Sequence, residues 1–132
     1  LEDTNLAQWR VIVVDDEPDS ADIIEQLLEL HGITEIASAR NGAECMEIIY
    51  DFNPDIIVVD LSMPQMDGWQ TLRELRGNTA FDTIPVIAMT AYHSLNVALD
   101  AKKAGFDAYF TKPIDVDAFI NTVIDIINTL TD

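Results

Sequence analysis

Apolar residues gather into five short runs, at residues 11–14, 33–37, 56–59, 85–89 and 108–110. Three of them (11–14, 56–59 and 85–89) are continuously apolar and rich in β-branched residues rather than alternating, the pattern of strands buried on both faces of a parallel sheet. Between the runs the apolar spacing is helical. The first helix is predicted to start at Pro18, a favoured first-turn residue, to place Ile23, Ile24, Leu27, Leu28 and Leu30 on one side, and to stop at Gly32. The second spans about 42–52, with Met46, Ile49 and Phe52 at helical spacing. The third covers about 68–76 and ends at Gly77, and the fourth runs from about His93 to Ala104 before Gly105. The last begins behind Asp115, a plausible N-cap, and continues to about Leu130.

Strands alternating with helices imply a parallel sheet covered by helices on both faces. Right-handed crossovers then favour a flavodoxin-like (βα)5 doubly wound α/β fold with strand order 2-1-3-4-5. The 132 residues suit one domain, 1–132 with its core at about 9–130, and show no repeat, low-complexity stretch or interdomain linker. A chain of this length needs no disulfide or structural metal to fold. The single cysteine, Cys45, excludes an internal disulfide and is expected in the core of the second helix; with no apolar stretch or leader pattern for a membrane, a cytoplasmic location is expected. The first residue is not Met, as at a processing boundary or a cut in a longer chain.

Charge narrows the partners. Asp and Glu number 24 against 7 Lys and Arg, a net charge of −17. Such a surface repels phosphate backbones and anionic bilayers, so direct binding of nucleic acid or membrane is not expected. Basic protein patches and divalent cations suit it better, although acidity also serves solubility alone. What matters is whether carboxylates converge. In sheets of this kind ligands sit outside the carboxyl ends of the strands. The first strand ends in Asp15 and Asp16, followed by Glu17; the third ends in Asp60; the fourth in Thr90; and Thr111, Lys112 and Pro113 follow the fifth. Taken singly, the first acidic residues are accounted for by the dipole of the helix they precede. Taken together at one sheet edge, these residues form a chemical constellation.

Clustered carboxylates repel unless a cation neutralises them, and an all-oxygen set suits a hard ion such as Mg²⁺. Such an ion bridges carboxylate and phosphoryl oxygens in phosphoryl transfer. Lys112 suits a phosphoryl oxygen as a point charge, the Thr90 hydroxyl suits another, and Asp60 is the candidate nucleophile of an aspartyl-phosphate intermediate.

These segments resemble the receiver domain of bacterial two-component response regulators, of the kind found in chemotaxis regulators, over nearly the whole chain. Val13-Val14-Asp15-Asp16-Glu17 resembles the family's acidic pair, and the stretch from Asp55 through Asp60-Leu61-Ser62-Met63-Pro64 to Asp67-Gly68 its phosphoacceptor segment. The stretch ending Met89-Thr90-Ala91 resembles the strand with the switch hydroxyl, and Ala108-Tyr109-Phe110-Thr111-Lys112-Pro113 the last strand. The resemblance implies that Asp60 accepts a phosphoryl group from the phosphohistidine of a sensor histidine kinase or phosphotransfer protein. It further implies that Asp16, Asp60 and the backbone carbonyl of Ser62 bind Mg²⁺ directly, and Asp15 mostly through water. Lys112 and Thr90 would contact the phosphoryl group, Tyr109 would be the aromatic switch, and Lys112-Pro113 a cis peptide. The chain is then no conventional enzyme; it catalyses its own Mg²⁺-dependent phosphorylation and dephosphorylation.

Ser62 and Tyr92 are expected at the mouth of the site, where Tyr92 partly shields the acyl phosphate and neither side chain is a strong base for water. A nucleotide triphosphatase is unsupported because no Gly-Lys-Ser/Thr loop occurs. A haloacid-dehalogenase-type phosphatase needs Asp where Ser62 stands, and Asp15-Asp16-Glu17 would repel the phosphate of FMN in a flavodoxin. His31 and His93 are expected as surface or capping residues, Trp9 as a cover for a core edge, and Trp69 near enough to the site to report on it. The apolar stripe of the last helix is wide, with Ile124 and Ile126 at opposite margins. Helix 4, strand 5 and helix 5 are the expected output surface, toward a downstream protein or a second copy. The ending Thr129-Leu130-Thr131-Asp132, with no linker or basic helix, favours a stand-alone phospho-switch over one joined to an output domain. The alternative is a degenerate receiver that binds proteins without phosphorylation.

Overall fold

The computed structural model describes residues 6–131, so residues 1–5 and Asp132 of the expected 1–132 domain lie outside the described residues. After a 3-10 turn at Leu6–Gln8 the chain runs β1 (Arg10–Val14), α1 (Pro18–Leu30), β2 (Glu35–Ala39), α2 (Gly42–Phe52), β3 (Ile56–Asp60) and α3 (Gly68–Arg76). It continues with β4 (Val86–Thr90), α4 (Leu95–Ala104), β5 (Ala108–Thr111) and α5 (Val116–Thr131). The five strands form one parallel sheet in the order β2-β1-β3-β4-β5, as the alternating pattern predicts.

Successive strand residues point to opposite faces, so each apolar run feeds two cores. Ile12, Val14, Ile57, Val59 and Ala88 pack under α2, α3 and α4 with Ile49, Leu72, Leu75 and Ala101. Val11, Val13, Val58, Ile87 and Met89 pack under α1 and α5 with Ile24, Leu28, Phe119, Val123 and Ile127. Cys45 is buried in the first of these layers and Trp9 in the second. No helix among the described residues is long and apolar enough to cross a membrane.

Three local differences from the sequence pattern have plain causes. β2 begins two residues later than its apolar run, because it is a sheet edge with only Ala39 buried, while Ile33 is buried in the turn ahead of it. On α1 the buried arc is Ala21, Ile24 and Leu28; at about 100° per residue, Ile23 and Leu30 swing away from it and are 57% and 80% exposed. α4 starts at Leu95 rather than His93, because the Ser94 side chain accepts from the Val97 N–H (3.1 Å) and caps it. At the last helix Asp115 accepts from the Ala118 N–H (3.1 Å), as expected of an N-cap, and Ile124 and Ile126 are both half-buried.

Candidate functional site

The parallel sheet delivers the carboxyl ends of β1, β3, β4 and β5 to one edge. Asp15 follows β1 with its backbone N–H bonded to Ala39 O (2.9 Å), which carries the ladder one residue past the strand. Its side chain is buried, whereas Asp16 beside it is exposed. Asp60 is the last residue of β3 and is also buried. Oxygens of Asp15, Asp16 and Asp60 all lie within 4.8 Å of one another.

Lys112 reaches into this cluster from the end of β5. Its Nζ donates to Asp15 Oδ2 at 2.8 Å and to Asp60 Oδ2 at 2.6 Å, tying three strand ends together. The other carboxylate oxygens are met by backbone: Glu17 N–H donates to Asp15 Oδ1 (3.0 Å) and Ser62 N–H to Asp60 Oδ1 (2.9 Å). The backbone at Lys112 is fixed by its N–H bond to Thr90 O (2.8 Å), and the Lys112–Pro113 peptide is cis.

Electrostatics follow from burial and imbalance. Burial pushes the Asp60 carboxyl above its ordinary range, aided by the charge of Asp15 and opposed by Lys112 and the Ser62 N–H. Burial alone would lower Lys112, but its bonds to Asp15 and Asp60 outweigh that and raise it, so its ammonium stays charged. One ammonium against three carboxylates leaves the cluster short of positive charge. An all-oxygen set of this kind, with Asp16 open to solvent, fits a divalent hard cation such as Mg²⁺.

Around the cluster, α3 is docked tightly behind β3. Asp67 and Gln70 form a reciprocal capping box, and the Gly68 N–H bonds Leu61 O (3.2 Å). Over it opens a cleft of about 390 Å³ whose lining includes Asp16, Glu17, Asp60, Ser62 and Tyr92, with the Tyr92 ring largely exposed. An adjoining cleft of about 380 Å³ brings Trp69 beside Ser62, Thr90 and Tyr92. A larger depression, about 810 Å³, runs along α3 and holds none of these groups.

Thr90 is buried, and its hydroxyl accepts from the Tyr92 N–H (2.9 Å). Tyr109 is half-buried on β5 and its hydroxyl meets Nδ1 of His93 at 2.9 Å. His93 is exposed, as expected of a surface residue, but the sequence pattern does not record this contact. The signal available was topological: β4 lies beside β5, so the segment after Thr90 must pass near Tyr109. His31 does bond the end of its own helix, Nδ1 to Leu27 O at 2.8 Å.

Comparison with known proteins bears on the family and the fold. The family model for the response regulator receiver domain matches residues 11–124. An uncharacterised 14.6 kDa protein of Leptolyngbya boryana is 36% identical over 110 residues, covering 83% of each chain. The regulatory protein AtoC of Escherichia coli is 35% identical over 82% of this chain, which spans only 23% of AtoC's length. Among solved structures, the receiver domain of the Francisella response regulator 1452 superposes with a TM-score of 0.85 at 32% identity, covering 93% of this chain and 99% of that one. The chain belongs to the response regulator receiver domain family of two-component signalling.

Proposed function

We propose that this chain is a phosphoacceptor switch in which Asp60 takes a phosphoryl group from the phosphohistidine of a histidine kinase or phosphotransfer protein. The observation that carries the reading is the Lys112 ammonium held between Asp15 and Asp60 at the carboxyl edge of the sheet. An Asp60 oxygen attacks phosphorus, the P–N bond breaks, and its electron pair returns to the imidazole of the donor. Lys112 stays charged and passes from the carboxylate to a phosphoryl oxygen, while the Ser62 N–H holds the other Asp60 oxygen. Asp16, Asp60 and the Ser62 carbonyl would hold Mg²⁺, with Asp15 acting through water. When bound, Mg²⁺ supplies positive charge to the phosphoryl oxygens during transfer. Hydrolysis reverses the chemistry: water attacks phosphorus, the P–O bond to Asp60 breaks, and the carboxylate is restored with release of inorganic phosphate.

The Thr90 hydroxyl then leaves the Tyr92 N–H for the phosphoryl group, and Tyr109 follows. α4, β5 and α5 carry the change outward, and exposed Leu95 and Leu99 offer apolar anchors for a downstream protein or second copy. The chain's net charge of −17 supports a protein partner over nucleic acid. Incubation with Mg²⁺ and acetyl phosphate, read by intact mass, is expected to add one phosphoryl group, absent without Mg²⁺ and in Asp60→Asn. A chain unmodified under all conditions is instead a phosphorylation-independent binding module. In the phosphorylated protein, Tyr92→Ala is expected to speed loss of the group by opening the cleft; an unchanged rate refutes shielding by Tyr92.

A further inference from the structure

We propose that His93 is a positioning residue that latches Tyr109 in the unphosphorylated arrangement and so sets how readily the site takes up a phosphoryl group. The inference rests on the phosphoacceptor reading above. His93 lies three residues after Thr90, in the exposed link between β4 and α4, and its Nδ1 meets the Tyr109 hydroxyl at 2.9 Å. The rings stand 5.7 Å apart at 47°, so the contact is the hydrogen bond and not a stack. Either ring tautomer completes it, since the phenol both donates and accepts.

The bond spans the two segments that must move relative to each other. Thr90 anchors one side through its bond to the Tyr92 N–H, immediately before His93. On the other side Tyr109 sits on β5, paired with Ala88. When the Thr90 hydroxyl turns to a phosphoryl oxygen it releases the Tyr92 N–H, and the link carrying His93 moves with it. The partner atom of Tyr109 is then withdrawn, and the ring is free to leave. Little else restrains the link: residues 91–96 are exposed, and Ala101 is the one fully buried residue of α4. A net hydrogen bond of ordinary strength biases such an equilibrium about two- to tenfold.

The test is the affinity of the protein for beryllofluoride with Mg²⁺, followed by Trp69 fluorescence in wild type, His93→Ala, Tyr109→Phe and the double variant. Each single change is expected to tighten apparent binding about two- to tenfold, with the double variant no tighter than either. His93→Asn, whose amide can meet the same hydroxyl, is expected to restore wild-type affinity. The ¹⁵N resonance of His93 Nδ1 should shift in Tyr109→Phe and shift the same way when beryllofluoride binds the wild type. Unchanged affinity in His93→Ala, additive effects in the double variant, or an Nδ1 signal blind to Tyr109→Phe overturns the latch. A wild type that binds no beryllofluoride overturns the phosphoacceptor reading and the latch with it.

Discussion

Gly68 is where the stability of this fold and the placement of Asp60 are the same problem. A β-carbon there would stand 2.5 Å from Asp60 O, 2.8 Å from Leu61 Cα and 3.1 Å from Asp60 C. All three are backbone, so no side chain can turn aside. Carbon contacts are comfortable only beyond about 3.5 Å, so Gly68→Ala must push the start of α3 off the end of β3 by about 1 Å. Overpacking of this kind costs about 1–3 kcal/mol, with the upper end expected where backbone meets backbone. Two of the three crowded atoms belong to Asp60 itself, and a misplacement near 1 Å there costs about a hundredfold in rate. Gly105→Ala is the control: its φ of +105° is unfavourable to alanine but nothing lies within 4 Å, so about 1 kcal/mol is lost with no change in phosphorylation. Urea unfolding followed by circular dichroism gives the stabilities, and intact mass after acetyl phosphate gives the rates. A Gly68→Ala protein no less stable than Gly105→Ala and phosphorylated at the wild-type rate refutes the close-packing argument.

Other expectations can be checked with the same preparations. Because burial raises the Asp60 carboxyl in the fold, the folded state takes up its proton more readily, and stability is lost as pH rises from the ordinary carboxylate range through that raised value. Without Mg²⁺, Asp60→Asn should therefore melt above wild type at neutral pH, with the gap closing in acid; a gap independent of pH contradicts this. The Cys45 thiol, pushed by burial up to about 12, should resist alkylation at neutral pH until denaturant opens α2, and rapid labelling of the native protein would count against its burial. Gln65 holds a φ of 67° and its side-chain carbonyl accepts from the Asn41 amide at 3.2 Å; Gln65→Gly is expected to raise stability by up to about 1 kcal/mol, and a lower urea midpoint would show that the bond to Asn41 matters more than the strain.

How far the sequence could be read depended on how each residue's role is determined. β1, β3 and β4 were legible because burial on both faces makes a strand apolar throughout, with no competing pattern. The edge strand β2 was legible only to within two residues, since a half-exposed strand shares its apolar content with the turn before it. Asp15, Asp60 and Thr90 stood out because each ends an apolar run, and a parallel sheet sends all such ends to one side. The contacts of Lys112 with residues 97 and 52 positions away required the strand order as well. His93 lies at the surface as its sequence context implies, but its bond to Tyr109 was not legible, because that partner is chosen by a side-chain direction that no periodicity records.

The distribution of packing across the site suits the proposed combination of a precise acceptor and a movable surface. Asp60 is backed by β1 and β4, by the α3 capping box and by the glycine contact behind it. None of these can relax by much without loss of core packing, which holds Asp60 in place against the Lys112 ammonium. Thr90 belongs to the same rigid sheet, yet the chain after it passes into an exposed link and a helix held by little buried surface. A phosphoryl group on Asp60, as proposed, would therefore meet stiff resistance on the β3 side and little on the β4–α4 side. On the proposed reading that contrast would direct the motion: α4 and Tyr109 are the parts of the surroundings that a few hydrogen bonds can move.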